Sequence, residues 1–503
     1  MSMKNRLLFA EFYLGMNSTN IVLRDPPKFV SFLYKYYPQH TKWIKPEIFN
    51  QFEKHPDAYT YTKGTDSASN ITGQYIKQNL KTPVIIIQGR CTAEKLIYHL
   101  STGNYTHLGC SVRSNDFSNF LRCVKMVREK FPHIKIIAGN VGAHHVELEE
   151  YVDYICKGRG VPFLRELFEE DLNTPYNIAS SPYDFTIYFK NNSFKRKHLL
   201  LITKTGCPHQ CDFCATYTIY DGKCSGELVE PKVVHKVLLD FRNSNGNRDF
   251  VIHLAEPTAI INKYWWYELF ELFEDEKGDY PIIGATTSNS LKGLDLDRLS
   301  HSALRFELLH FGIENFTHDY NKNNGINYEE LMQKYREYGI NIYTSYIVGY
   351  PWQNEDMIWD EIDKYSELKS SWWDIQNLKI YPGTSMWKKI LDEDRFINIP
   401  HDFRVMHGFQ PFRHDYFEVG FDDMWPLMYR IYMHMEAECG PMITNYYQVM
   451  KNLVKIHEKN KRAFRRTLKL YQTIAREIYP AWKNYFNPSS HQKHVFLEKC
   501  EIA

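Results

Sequence analysis

The sequence predicts an α/β protein in three parts: an N-terminal Rossmann-like domain over 1–180, a central series of six βα units over 190–395, and a mainly helical region over 396–503. Three observations carry this reading. Between 80 and 170 the apolar runs TPVIIIQGR, THLGCSV, HIKIIAGN and VDYICKGRG are separated by a helical stretch, a doubly wound pattern. From about 198 to 380 short apolar runs alternate with amphipathic ones, as repeated βα units do. Beyond about 400 the composition turns aromatic and then helical.

In the central part, strands are expected near 198–204, 249–254, 281–286, 307–313, 342–348 and 374–380. Helices are expected over 229–243, 262–275, 327–338 and 355–369. The segment FRVMHGFQPFRHDYFEVGFDDMW reads as a lid or pocket wall, and 425–485 as helical. The basic run KIHEKNKRAFRRTLKLYQ reads as a solvated helix face.

Composition narrows the class of function. A chain of 503 residues exceeds one ordinary core. Lys plus Arg number 61 and Asp plus Glu 60, so bulk charge predicts neither a nucleic-acid nor a membrane partner. No apolar run approaches a membrane span, and Glu11 breaks the first apolar stretch, so no signal peptide is read. Ten cysteines over this length suit a reducing cytoplasm rather than a disulfide scaffold.

Chemistry concentrates at TKTGCPHQCDFCATY, where Cys207, Cys211 and Cys214 fall within eight positions. Composition alone would give C-x3-C-x2-C ~0.004 times per chain, so chance is a poor explanation. Two metal readings remain. A structural zinc site needs a fourth ligand; His209 sits too close to its loop neighbours to close a tetrahedron easily, and Cys224 could serve. A cubane iron–sulfur cluster normally takes four thiolates, so three leave one iron open to a substrate or cofactor. The preceding apolar run places this loop at the C-terminal end of a strand, where α/β folds put their ligands.

C-x3-C-x2-C after a strand, with Phe213 before the last cysteine, resembles the signature of the radical S-adenosylmethionine (radical SAM) enzymes. The resemblance implies a partial (β/α)6 barrel. It also implies a [4Fe-4S] cluster on Cys207, Cys211 and Cys214, and S-adenosylmethionine chelated to the open iron and split by one electron. Further fragments follow in the family's order. Glu256 in HLAEPT stands where many members carry Gly-Gly-Glu-Pro and would hold the cofactor's ammonium. Ser288 and Asn289 in TTSNS would meet its ribose or carboxylate; a helix N-cap is the plain alternative. Gly312-Ile313-Glu314 resembles the family's GxE stretch and aims Glu314 at the same pocket. Val348, before the turn at Gly349 and Pro351, would pack on the adenine. Tyr381-Pro382-Gly383-Thr384 resembles the turn after the sixth strand.

The N-terminal part resembles the cobalamin-binding domain that precedes many radical SAM barrels. The matching positions are Gly109, Ser111, Gly139, Gly158 and Gly160. No D-x-H-x-x-G motif is present; Asn140 replaces the pattern's second glycine, and Arg159 its acidic turn residue. His144 and His145 read as loop residues near the interface. The remaining cysteines match neither the N-terminal set of the methylthiotransferases nor auxiliary-cluster domains.

The expectation is therefore a cytoplasmic radical SAM enzyme, with cobalamin-dependent C-methylation of a small molecule as its reaction. A small electron donor such as flavodoxin or ferredoxin would serve it. The alternatives are a rearrangement, cyclisation or oxidation without cobalamin, and a non-catalytic zinc-binding α/β protein.

Overall fold

The computed structural model describes residues 5–12, 61–64, 70–89, 91–113, 116–189, 192–220, 223–246, 248–317, 323, 325–396, 412, 413, 415, 421–440 and 442–456, with four isolated positions beyond. Most of the aromatic segment and nearly all of the basic run lie outside the described residues.

In chain order the first part contains β1 (Leu7–Phe12), β2 (Tyr61–Gly64), α1 (Ile71–Asn79), β3 (Val84–Ile86), α2 (Ala93–Thr102), β4 (His107–Val112), α3 (Phe117–Lys130), β5 (Lys135–Gly139), β6 (Tyr154–Ile155) and α4 (Gly160–Leu167). Five of these strands form one parallel sheet in the order β3-β1-β4-β5-β6. Counted within the sheet this is 2-1-3-4-5, a doubly wound order whose ligand crevice opens between its first and third strands, here β1 and β4. α3 covers the sheet because Phe117, Phe120, Cys123, Val124 and Val127 recur at helical spacing and are buried.

The interior strand β1, second in the sheet, is absent from the sequence reading. Its apolar run is interrupted by Glu11, whose carboxylate accepts from the Gly73 backbone N–H at 3.4 Å. Burial pushes its pKa up, with the Arg113 guanidinium opposing.

The second part contains β7 (Ala179–Phe189), β8 (Asn192–Ile202), β9 (Lys204–Gly206), α5 (Ala215–Tyr220), β10 (Cys224–Glu227), α6 (Pro231–Ser244), β11 (Val251–Leu254), α7 (Lys263–Glu271), β12 (Tyr280–Ala285), α8 (Ser288–Lys292), α9 (Leu296–Leu299), β13 (Leu304–Glu314), α10 (Tyr328–Glu337), β14 (Asn341–Val348), α11 (Glu355–Glu367), β15 (Trp372–Asn377) and α12 (Ser385–Asp392). β8 and β11 to β15 pair in sequence order, all parallel. These are the six expected strands, and all four expected helices are present with shifted ends. Asn262, Asn327, Asn354 and Thr384 cap α7, α10, α11 and α12 by accepting backbone N–H bonds. Each such cap stabilises its helix by about 1 kcal/mol.

The reading also missed the antiparallel extension β2-β7-β8, which widens the sheet to eight strands. The first half of β8, NSFKRK, is polar and gives no apolar signal.

Two further helices, α13 (Phe421–Cys439) and α14 (Met442–Ile456), complete the described chain. Leu427, Met428, Ile431, Tyr432 and Met435 of α13 belong to the same apolar core as the parallel strands. Each such burial stabilises by about 1.5–3 kcal/mol. No described helix is long and apolar enough to cross a membrane.

Candidate active site

The cysteine loop leaves the sheet through a tight turn. β9 pairs antiparallel with β10, with Gly206 opposite Cys224. Gly206 has φ +86, and a Cβ there would stand 2.1 Å from the Lys223 carbonyl oxygen. Only glycine fits this position. Cys207 follows at once, and the Thr258 hydroxyl donates to its Sγ at 3.2 Å. Further along, the Cys214 N–H closes a turn on the Cys211 carbonyl at 3.1 Å. Cys211 is buried and, with Phe213 and Cys214, packs on Tyr350, Leu378 and Ile380, just after β14 and β15, and on Met386 of α12. The Met386 N–H donates to the Asp212 carbonyl at 3.1 Å. Phe213 meets Tyr350 edge to face at 6.2 Å between centroids.

Glu256 follows β11 and is buried. Its Oε1 accepts from the Thr203 N–H, the Thr203 hydroxyl at 2.7 Å and the Lys204 N–H at 3.2 Å. Its Oε2 has no hydrogen-bond partner among the described residues and lies 3.8 Å from Lys204 Nζ. Burial raises the Glu256 pKa, and the Lys204 charge opposes that shift. One oxygen thus pins the start of the cysteine loop; the other is a buried acceptor suited to an ammonium group.

Ser288 and Asn289 open α8, but the N-cap is Thr287, whose side chain accepts from the Ser290 N–H. Ser288 is fully buried and donates to Asn323 Oδ1 at 2.8 Å. Asn323 in turn donates to the carbonyls of Gly312 and Ile313 at 3.2 and 2.9 Å, tying the β12 and β13 ends together. Asn289 is exposed. Glu314 is buried with φ 71, and its carboxylate folds back over Gly312, where a Cβ would stand 1.9 Å from Oε1. That contact explains the glycine two residues before the glutamate. Val348 is fully buried at the end of β14. The next turn is held by Gln353 Oε1, which accepts from the Gly349 and Tyr350 N–H groups at 2.9 and 3.0 Å.

All these residues lie at the C-terminal edge of one parallel array. Thr258, Lys204, Asn323 and Gln353 join them and were not read from the sequence, because none sits at a motif position.

The other sheet directs its own C-terminal edge at this loop. The turn Val141–His144 follows β5. The His144 ring lies where a Cβ on Gly383 would stand, 2.5 Å from its Nδ1 and 2.8 Å from Thr218 Cγ2. Burial, then the Lys157 charge, lower the His144 pKa. Burial first, then Cys214, push the Tyr381 pKa up to about 12, and the Arg113 charge opposes the shift. His145 stacks on Phe117 at 4.0 Å, a packing role.

Of the positions matched to the cobalamin pattern, Gly109 sits within β4, under Leu7 and Phe9, rather than on the loop beyond it. Ser111 is buried at the end of β4 and accepts from Asn140 Nδ2 at 3.1 Å. Gly139 ends β5, and Gly158 and Gly160 face open space. Asn140 takes φ 70 and ψ −171, a conformation that glycine ordinarily fills. Its side chain holds it there through Ser111 and through the Val141 N–H at 2.7 Å. The backbone form of the pattern's second glycine is therefore kept by asparagine.

Three thiols on one loop, one of them hydrogen-bonded, and a buried carboxylate with one unbonded oxygen suit a cubane with a non-protein vertex that carries an ammonium ligand. The described residues present no group of three or more His, Cys, Asp or Glu placed to hold a single metal ion.

Comparison with known proteins agrees. Residues 201–364 match the model of the Radical SAM superfamily. That span holds the cysteine loop and the ends of β11 to β14. The chain therefore carries a radical SAM domain over these residues, which marks it as an enzyme. No curated protein matches it in sequence. Among solved structures it resembles TsrM, a radical S-adenosylmethionine methyltransferase from Kitasatospora setae. The form with tryptophan substrate and the SAM analogue aza-SAM aligns over 95% of this chain and 99% of that one, at TM-score 0.53 and 12% identity. The form with cobalamin and a [4Fe-4S] cluster aligns over 78% of each chain, at TM-score 0.48 and 12% identity. At this identity the first likeness concerns the fold.

Proposed function

We propose that this enzyme methylates an unactivated carbon of a small molecule, using a [4Fe-4S] cluster, S-adenosylmethionine and cobalamin. The observation that carries the reading is the seam between the two sheets. The ligand edge of the doubly wound sheet meets the helix α5 just after the cysteine loop, and the turn after β15, through His144 beside Thr218 and Gly383. Tyr381 feels the charge of both Cys214 and Arg113, one from each part of the chain. Such an arrangement brings a group held at one edge next to chemistry begun at the other. TsrM, the structural neighbour, is itself a methyltransferase.

When bound, the cluster supplies the electron that splits S-adenosylmethionine, and cobalamin supplies the methyl group. The chain's part is to hold and orient. Cys207, Cys211 and Cys214 bind the cluster. Glu256 Oε2 takes the ammonium of S-adenosylmethionine, and Phe213, Ser288, Asn289, Glu314 and Val348 form the rest of its pocket. Ser111, Gly139, Gly158 and Gly160 cradle the cobalamin tail, with Gly109 keeping β4 close to β1. The division into 1–180, 190–395 and 396–503 belongs to this proposal, as do a flavodoxin- or ferredoxin-like donor and a cytoplasmic location. The aromatic segment after 400 would exclude water.

The closeness of the seam favours one second reading. His144 packs directly beside Gly383, so side chains close the seam at that point; a radical SAM oxidation or rearrangement without cobalamin is the rival. Anaerobic purification from cells supplied with cobalamin separates the two. The proposal expects a corrinoid spectrum in the extract at about one per chain, the stoichiometry of one such domain. Protein that loads iron but no corrinoid overturns it in favour of the rival.

A further inference from the structure

We infer that Thr258 is a positioning residue that sets the reduction potential of the cluster through a hydrogen bond to the Cys207 sulfur. The inference rests on the cluster reading above and adds to it a residue that no motif marks.

Thr258 is buried, and its hydroxyl donates to Cys207 Sγ at 3.2 Å. The segment that carries it is fixed on both sides. The Ala255 N–H donates to the Leu201 carbonyl at 2.9 Å, and the Ala259 N–H to the Ala285 carbonyl at 2.7 Å. The Ala259 carbonyl accepts from Trp266 Nε1 at 3.1 Å and from Lys204 Nζ. Lys204 faces Glu256 across 3.8 Å with both side chains fully buried. Glu256 in turn grips Thr203 and Lys204, just before the cysteine loop. A buried, doubly anchored ion pair thus locks the 255–259 segment to the root of the loop, and the hydroxyl has a fixed donor position at the sulfur.

A donor to a cluster thiolate stabilises the form with more negative charge. Reduction adds one electron to the cluster, so this bond makes reduction easier. Hydrogen bonding to the ligand sulfurs is one of the protein's main means of tuning such a centre. Valine matches threonine in shape and lacks the donor; serine keeps the donor and lacks the methyl group.

The test is an EPR-monitored redox titration of anaerobically reconstituted wild type, Thr258→Val and Thr258→Ser, with iron content measured on each. The expected result is a more negative midpoint for Thr258→Val, a midpoint near wild type for Thr258→Ser, and equal iron in all three. Equal midpoints in iron-loaded wild type and Thr258→Val overturn the inference and leave the cluster reading intact. Equal shifts in both variants also overturn it, because they assign the effect to packing. If Thr258→Val fails to load iron, Thr258→Ala and Thr258→Ser supply the same comparison. A wild-type protein that binds no iron overturns the cluster reading and this inference together.

Discussion

Gly206→Ala tests how strictly the cysteine loop depends on its turn. Residue 206 has φ +86, which costs an alanine about 1–2 kcal/mol. The added Cβ would lie 2.1 Å from the Lys223 carbonyl oxygen and 3.1 Å from the Cys224 Cα. Both are backbone atoms, so no side-chain rotation relieves the contact, and the β9–β10 pairing at Gly206 and Cys224 must open. Losing that pairing removes about 1 kcal/mol per hydrogen bond. The sum is about 2–4 kcal/mol against the loop geometry that presents Cys207. At 1.4 kcal/mol per decade, cluster retention should weaken roughly 30- to 700-fold. The assay is iron loss to a competing chelator after anaerobic reconstitution. Gly246→Ala is the control: φ is +67 there, but nothing lies within 4 Å of the added methyl. It should carry only the backbone penalty and keep its iron. Gly206→Ala protein that held iron as tightly as wild type would refute the reasoning.

Two other outcomes follow from buried charge. Glu307 is buried and accepts from Arg196 at 2.6 and 2.9 Å, from Arg305 at 2.8 Å and from Tyr446 at 2.9 Å, tying β8, β13 and α14 together. Both guanidinium groups hold its carboxyl well below the usual range, against the effect of burial. Glu307→Ala removes the buried carboxylate shared by buried Arg305 and half-buried Arg196 and should destabilise by about 3–5 kcal/mol in urea unfolding. A loss under 1 kcal/mol would contradict this. The second outcome concerns pH. Tyr183 OH bridges His198 Nδ1 at 2.9 Å and His253 Nδ1 at 2.8 Å. Burial pushes the pKa of His198 down to about 2 and that of His253 to about 4. An unfolded histidine titrates near 6.5, so below that pH the unfolded chain binds more protons than the folded one. Stability should therefore fall as pH drops from about 6.5 towards 4, and the fall should shrink in a His198→Asn, His253→Asn double variant. An undiminished fall in that variant would assign the effect elsewhere.

The sequence showed the six parallel strands because their apolar runs are short, regular and bounded by capped helices. It showed the cysteine loop because three thiols at that spacing are rare in any composition. What it hid was polar. Glu11 masked the interior strand β1 of the first sheet by breaking the apolar run with a half-buried carboxylate. NSFKRK masked half of β8, whose partner β7 turns a six-stranded reading into an eight-stranded sheet. Lys204 reads as an exposed residue, since lysine is seldom buried without a partner, and the partner lies 52 positions away in Glu256. Thr258 and Asn323 have no periodic or motif signal; only the folded chain brings them to Cys207 and Ser288. In the doubly wound sheet, Asn140 looked like a lost glycine. The backbone shows a kept conformation, held by the residue's own side chain.

The claim beneath all this is that three thiolates leave one iron open for S-adenosylmethionine. The most direct measurement is electron–nuclear double resonance on the reduced protein, with S-adenosylmethionine carrying nitrogen-15 in its amino group. The account expects a nitrogen-15 coupling to the cluster, lost in Cys207→Ala. A reduced cluster that binds the nucleotide and shows no such coupling, or a protein that holds zinc and no iron, would contradict it.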